Sequence, residues 1–218
     1  MFDNDFYKRI LDLSCNEEDL KQSVDEIKYD LDDVFEKYYN VSIICNAIDM
    51  FLNHKWSDST LSSWSYRYMY ILCKDFDNDL KDNFLQFFIK DKIIDLLDSL
   101  TIVPYEYFDD ENPLTNYLEE FKELFMNLDI VYNSISEWIG YYTKTYADDE
   151  GYYLLLINHL KKQYLLLDTT IFEDGYEDEN FVSVSKKEHL NILVKLQKQG
   201  YQLLHYDEKW YYLEVHEV

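Results

Sequence analysis

Apolar positions over the first two-thirds of the chain recur at steps of three and four, the spacing that gathers them on one face of an α-helix. The clearest stretch is 16–40, where Leu20, Val24, Ile27, Leu31, Val34 and Tyr38 fall on one face. Asn16 stands where an N-cap belongs, and Glu17, Glu18 and Asp19 fill the first turn, where the helix dipole favours negative charge. The opposite face carries Asp25, Tyr29, Asp32 and Glu36 in register, with Asp30 and Asp33 beside them and only Lys21, Lys28 and Lys37 to oppose them. The pattern predicts an amphipathic helix with an inward apolar face and an outward acidic ridge.

The same spacing predicts further helices. Phe2, Phe6, Ile10 and Leu13 make a short one before the first long one. Over 41–55, Val41, Ile44, Ile48, Phe51 and Leu52 share a face, and Asn53, His54 and Lys55 form a C-terminal turn with His54 facing the dipole. Segment 58–76 reads as a helix dense in aromatics, with Trp64, Tyr66, Tyr68, Tyr70 and Phe76 around Arg67; such a stripe is core with tyrosine hydroxyls at its rim. Over 80–100 the apolar residues Leu80, Phe84, Phe87, Phe88, Ile93, Ile94 and Leu97 give one helix, or two with a break near Lys90. Its polar side bears a second acidic row, Asp91, Asp95 and Asp98. Segment 101–112, with Pro104 and the run Asp109, Asp110, Glu111, reads as a loop. Asn112 and Pro113 then open a helix carried from Leu114 to Ile139 and ended by Gly140.

The pattern changes after the loop Asp148, Asp149, Glu150, Gly151, which is taken as the boundary between an acidic helical domain, 1–147, and a small α+β unit, 148–218, that could pack on it as one domain. Segment 152–168 fits either helix or strand, because Leu154, Leu155, Leu156 and Ile157 form an unbroken apolar run. Segment 173–180 reads as an acidic loop. Phe181, Val182 and Val184 suggest a strand, Ser185 with Glu188 makes a capping box for a helix ending before Gly200, and 201–206 with 209–215 form a β-hairpin. The expected fold is mainly α, with about five to seven helices followed by this α+β unit.

Composition supports a packed core, since hydrophobic residues reach 47% while only 4 Gly and 2 Pro interrupt the backbone. Charge changes the picture more. The chain holds 20 basic and 44 acidic residues, a formal net charge of -24. An AT-rich genome would raise Lys as readily as Asp and Glu, so the acid excess has another cause. Residues 1–150 carry 33 acids and 13 bases, a net of -20, against -4 for 151–218. Such a surface repels nucleic acid and anionic membranes and attracts basic proteins.

Candidate chemistry is sparse. Glycine at only 140, 151, 175 and 200 leaves no P-loop, GxGxxG or nucleophile elbow. Cys15, Cys45 and Cys73 lack CxxC spacing and read as reduced thiols, and the five histidines form no HExxH. Asp75, Asp77 and Asp79 match three positions of an EF-hand loop, but Leu80 stands where glycine is needed and Gln86 where a bidentate glutamate is needed. Glu120 and Lys122 form the E-x-K fragment of metal-dependent nucleases without a fitting upstream acid. No metal or cofactor is expected. With no signal-peptide pattern at residues 1–10 and no apolar run near the roughly 18 residues of a span, the expected location is cytoplasmic.

These features lead to an expectation of an acidic protein inhibitor. At about 1.5 Å rise per residue, Asp25, Asp32 and Glu36 present carboxylates roughly 6 to 10 Å apart along one ridge, comparable to phosphates along a strand. In size and composition the chain resembles immunity proteins that neutralise bacterial nuclease toxins and phage DNA mimics that block restriction or CRISPR enzymes. The expected partner is a basic, nucleic-acid-processing enzyme or toxin, with no direct contact to nucleic acid or membrane. The expected contacts are Asp25, Tyr29, Asp32, Asp33 and Glu36, the loop Asp109, Asp110, Glu111 and the loop Asp148, Asp149, Glu150. The alternative is an enzyme whose acidic pocket, lined by Tyr66 and Tyr70, takes a cationic or sugar-like small molecule. A deep cleft would favour the enzyme and a broad acidic surface the inhibitor.

Overall fold

The structure, a computed structural model, describes residues 4–21, 34–73, 84–105, 113–146, 150–171, 177–207 and 210–215. The chain divides into two compact units. One comprises Met1–Lys81 with Lys90–Met126, and the other Asp82–Ile89 with Asn127–Val218.

The first unit is helical, as its apolar periodicity predicts. Its elements are α1 (Asn4–Leu11), α2 (Glu17–Leu20), α3 (Val34–Tyr38), α4 (Val41–Leu52), α5 (Asp58–Leu72), most of α6 (Phe84–Ile102) and the larger part of α7 (Leu114–Tyr132). Helix α6 runs unbroken past Lys90, and the supposed loop from 101 begins with its last residues and a 3-10 turn, Val103–Tyr105. Around α5 gather α1, α2, α3, α4 and that turn. The reason lies in its aromatics. Trp64 and Tyr68 are fully buried and stack at 5.1 Å, Trp56 adjoins Trp64 at 5.9 Å, and the polar ends of Trp64 and Tyr68 find partners. Trp64 Nε1 donates to the Ile10 carbonyl at 3.0 Å, Ser65 Oγ to the Leu97 carbonyl at 2.6 Å, and Tyr68 Oη to the Tyr38 carbonyl at 2.9 Å while accepting from the Asn40 N–H at 3.0 Å. Aromatic bulk thus reaches the core without stranding a donor.

The helix ends follow capping rules. Asn16 and Asp19 make a reciprocal capping box at α2, and Asn40 and Ser57 accept N–H bonds at the starts of α4 and α5, each worth about 1 kcal/mol. Past α4, His54 takes a left-handed φ of 57° so that its N–H reaches the Phe51 carbonyl and that of Lys55 the Met50 carbonyl, the Schellman closure usually given to glycine.

The second unit is built on one six-stranded sheet. Its strands are β1 (Trp138–Tyr146), β2 (Glu150–Asn158), β3 (Gln163–Ile171), β4 (Glu177–Ser183), β5 (Tyr201–Asp207) and β6 (Trp210–Val215), in the order β4-β3-β2-β1-β6-β5. All neighbours are antiparallel except β1 with β6. Helix α8 (Lys186–Lys198), opened by the Ser185 and Glu188 capping box, links β4 to β5. Strand β5 and β6 form the expected hairpin. Both faces of the sheet are covered. Phe88 of α6 meets Tyr142 and Tyr152 edge-on at 5.9 and 6.3 Å, while Leu196 of α8 packs with Leu155 of β2 and, around them, Tyr141, Leu166 and Tyr201. Leu154, Leu155, Leu156 and Ile157 are therefore all buried, which decides the ambiguous segment 152–168 as two strands.

Three expectations are corrected here. Strands begin at Trp138, before Gly151: α7 ends at Tyr132, a 3-10 turn Ile135–Glu137 follows, and alternate residues from Trp138 then face opposite sides of the sheet with Gly140 inside β1. The loop at 147–151 does not divide the chain, because β1 and β2 pair with each other across it from Trp138↔Asn158 to Tyr146↔Glu150, and the two units part instead after Lys81, Ile89 and Met126. Residues 177–180, read as loop, open β4 opposite β3.

Beneath α8, His189 is fully buried with ring contacts to Tyr141 at 6.4 Å and Tyr164 at 5.4 Å. Neither ring nitrogen has a hydrogen-bond partner. Burial, with a smaller contribution from His159, pushes its pKa down to about 4, so the ring is neutral at pH 7.

Candidate functional site

Of the expected contact residues, Asp25, Tyr29, Asp32 and Asp33 lie outside the described residues, as do Asp109, Asp110, Glu111, Asp148 and Asp149, and the failed EF-hand acids Asp75, Asp77 and Asp79. Glu150 begins β2, its backbone opposite Tyr146 and Ile171. Glu36 is described, exposed on α3 and within reach of a buried cation. Its carboxylate lies 2.5 Å from Nζ of Lys90, whose side chain is fully buried and stands 5.4 Å from the centre of the Phe35 ring. With its own side chain 39% exposed, Glu36 is the counter-ion of an interior ammonium. Asp19 stands in the first turn of α2, as expected, and is buried there: Arg9 holds it at 2.8 Å and the Asn16 N–H at 3.0 Å. Burial alone would raise that carboxyl, and these two partners outweigh it, so its pKa lies below the usual value.

The second acidic row is described. On α6, Asp95 and Asp98 are exposed, and Asp91 is half-buried, its carboxyl raised by burial and then by the charge of Asp95. On α7, Glu119, Glu120 and Glu123 face solvent. The cations beside these rows point inward. Buried Lys92 reaches Asp95 at 3.6 Å, and Lys122 holds Asp49 at 2.8 Å and Glu119 at 3.0 Å, its ammonium raised above the ordinary value chiefly by the hydrogen bond to Asp49. Arg67 is buried too, its guanidinium donating to the Ser63 carbonyl at 2.9 Å. Lys90, Lys92, Lys122 and Arg67 are thus largely withdrawn from water, whereas Lys8, Lys21, Lys37 and Lys55 stay exposed, and the outer faces of α6 and α7 carry Asp95, Asp98, Glu119, Glu120 and Glu123. Sequence reasoning missed this inward turn, although Lys90 shares a helical face with Ile93 and Leu97, the signal that would have found it.

A cavity of about 800 Å³ opens in the first unit between the Asn16 cap, the end of α4 and the start of α5. Phe51, His54, Lys55 and Trp56 line one side, Cys15, Ser57, Asp58 and Thr60 the other. Its polar atoms are largely engaged. Asn16 Oδ1 accepts from the Glu18 and Asp19 N–H groups, and Ser57 Oγ accepts from the Thr60 N–H and meets the Ser59 and Thr60 hydroxyls. Burial pushes the Cys15 thiol up to about 11, which keeps it protonated and a poor nucleophile at pH 7. Among the described lining residues no hydrogen bond joins Cys15, Ser57 or Thr60 to His54 or Asp58.

The tyrosines named for the enzyme alternative do not line this cavity. Tyr66 is 44% exposed, with its ring centre 6.5 Å from that of Tyr70 on the outer side of α5. Among the described residues no group of three His, Cys, Asp or Glu is placed to hold a metal ion, and no helix is long and apolar enough to cross a membrane. The chain matches no protein-family model, no curated protein and no solved structure.

Proposed function

We propose that this protein is an acidic inhibitor that binds a basic, nucleic-acid-binding protein and occupies its nucleic-acid surface, in the manner of immunity proteins against nuclease toxins or of phage DNA mimics directed at restriction or CRISPR enzymes. One observation carries the reading: residues 1–150 hold a net charge of -20, and while the largely buried Lys90, Lys92 and Lys122 are engaged by Glu36, Asp95, Asp49 and Glu119, the acids Asp98, Glu120 and Glu123 stand exposed on α6 and α7. Folding does not require such an excess, and self-repulsion opposes it. Complementary charge raises association rate and salt sensitivity, while a few aromatic anchors hold the complex; Tyr29 on the 16–40 ridge is the anchor proposed there. The protein acts by occupancy, without catalysis and without a cofactor.

The test begins with a partner recovered by cross-linking in the source cell and measures association kinetics against ionic strength. Reversing Asp25 and Asp32 to lysine, with Glu36 left intact as the counter-ion of Lys90, should slow association at low salt. The difference should shrink as the Debye length falls toward about 3 Å at 1 M salt. A variant that folds normally and binds as fast as wild type at low salt would remove the ridge from the interface.

A further inference from the structure

Helix α8 is an exception to the charge of the chain. It carries Lys186, Lys187, Lys195 and Lys198 against the single acid Glu188. Its buried side is formed by His189 and Leu196, and its opposite side presents Lys187, Leu190 and Val194, with Leu190 48% and Val194 46% exposed. Helix α7 has an outer stripe of the complementary kind. Glu123, Met126 and Ile130 recur at steps of three and four, and Met126 and Ile130 are 46% and 44% exposed. The two stripes have the same spacing. Laid side by side in parallel, Leu190 opposes Met126, Val194 opposes Ile130 and Lys187 opposes Glu123, so each apolar residue meets an apolar one and the charges are opposite.

We propose that α8 of one molecule docks along α7 of a second copy of the same chain through these six residues. This goes beyond the proposed binding of a basic partner and does not depend on it. Net charge, -24, opposes an anionic membrane, a nucleic acid and a second copy alike, and at about 0.15 M salt the Debye length of about 8 Å screens its distant part. The local match then decides the occupant, and the α7 stripe of a second copy supplies both the apolar residues and the opposite charge that the α8 stripe lacks. A contact between two different patches either closes as a two-fold dimer, each α8 meeting the α7 of the other copy, or repeats head-to-tail into rings or open chains. Its small extent makes it a weak, reversible interface.

Sedimentation velocity of the full chain at about 0.15 M salt tests this. The expected result is a weight-average mass that rises with concentration for the wild type and stays at the monomer for Leu190→Glu/Val194→Glu and for Met126→Glu/Ile130→Glu, with melting temperatures retained. Lys187→Glu and Glu123→Lys should each weaken association alone, and the double variant should restore it. A wild type that remains monomeric throughout, variants that associate like wild type, or charge reversals without mutual rescue would overturn the proposal. So would binding of the monomer to anionic vesicles through α8 in the absence of self-association.

Discussion

Two basic side chains are withdrawn from water in different parts of the molecule, and their surroundings treat them oppositely. Lys90 of α6 is buried with its ammonium against the Glu36 carboxylate and near the Phe35 ring. His189 of α8 is buried as deeply, but its neighbours are the rings of Tyr141 and Tyr164, and neither nitrogen has a partner. A charge enters an interior when an opposite charge enters with it; without one, a group that can lose its proton does so. Stability in the first region therefore depends on a partner, and in the second on pH.

The largest expected effect comes from separating the pair. Glu36→Gln takes this carboxylate away from the Lys90 ammonium and should cost about 3 kcal/mol, the lower end for a broken buried pair because Glu36 is partly exposed. Chemical denaturation of the variant measures it, and an unchanged midpoint would mean that Lys90 is balanced by other groups.

An intermediate effect is expected at His189. Its folded pKa, about 4, lies below its ordinary value of 6.5, so the unfolded chain takes up a proton first as pH falls. The contribution is fully present above about pH 6.5 and is lost as pH drops toward 4, by at most about 1.4 kcal/mol per pH unit. His189→Leu removes both the unpartnered nitrogens and this sensitivity. The melting temperature of the variant relative to wild type should rise steadily between pH 7 and pH 4.5, and a constant gap would show that the imidazole is protonated without penalty.

The smallest effect sharpens the contrast from the other side. Replacing both members of the first pair, Lys90→Met with Glu36→Gln, should return stability to within about 1 kcal/mol of wild type, since a buried pair is often worth little more than an apolar substitute. If the double variant is as unstable as Glu36→Gln alone, the loss lies in packing around Lys90 rather than in charge.

What the sequence made readable follows the same physics. Helices with one wet and one dry face, such as α4 and α8, declare themselves by period, and their ends by Asn40, Ser57, Ser185 and Gly200. The sheet was harder to read because β2 is dry on both faces, which erases the alternation and leaves Leu154, Leu155, Leu156 and Ile157 as a run that fits a helix equally well. Trp138 and Ile139 were drawn into the preceding helix for a related reason: the 3-10 turn before them continues its apolar spacing. Among the site residues, composition announces the acids, but side-chain partners lie beyond the reach of periodicity. Nothing local to Glu36 says that Lys90 will come to it from α6, and only the apolar company of Lys90 on its own helix hints that it is not a surface lysine.

The pairing of β1 with β6 has a consequence for how the molecule is made. Strands β1 to β4 can pair in succession as each leaves the ribosome, but Gly140, Tyr141 and Tyr142 wait on one side for Trp210, Tyr211 and Tyr212. Until those residues emerge, a central strand is temporarily an edge, with unpaired backbone groups beside aromatic side chains, the kind of template that recruits strands from other nascent chains. Closure by β6 is a long-range step and a slow one. Protection from aggregation is thereby linked to the arrival of a single short strand, and a nascent chain stalled before Trp210 leaves that edge of β1 open.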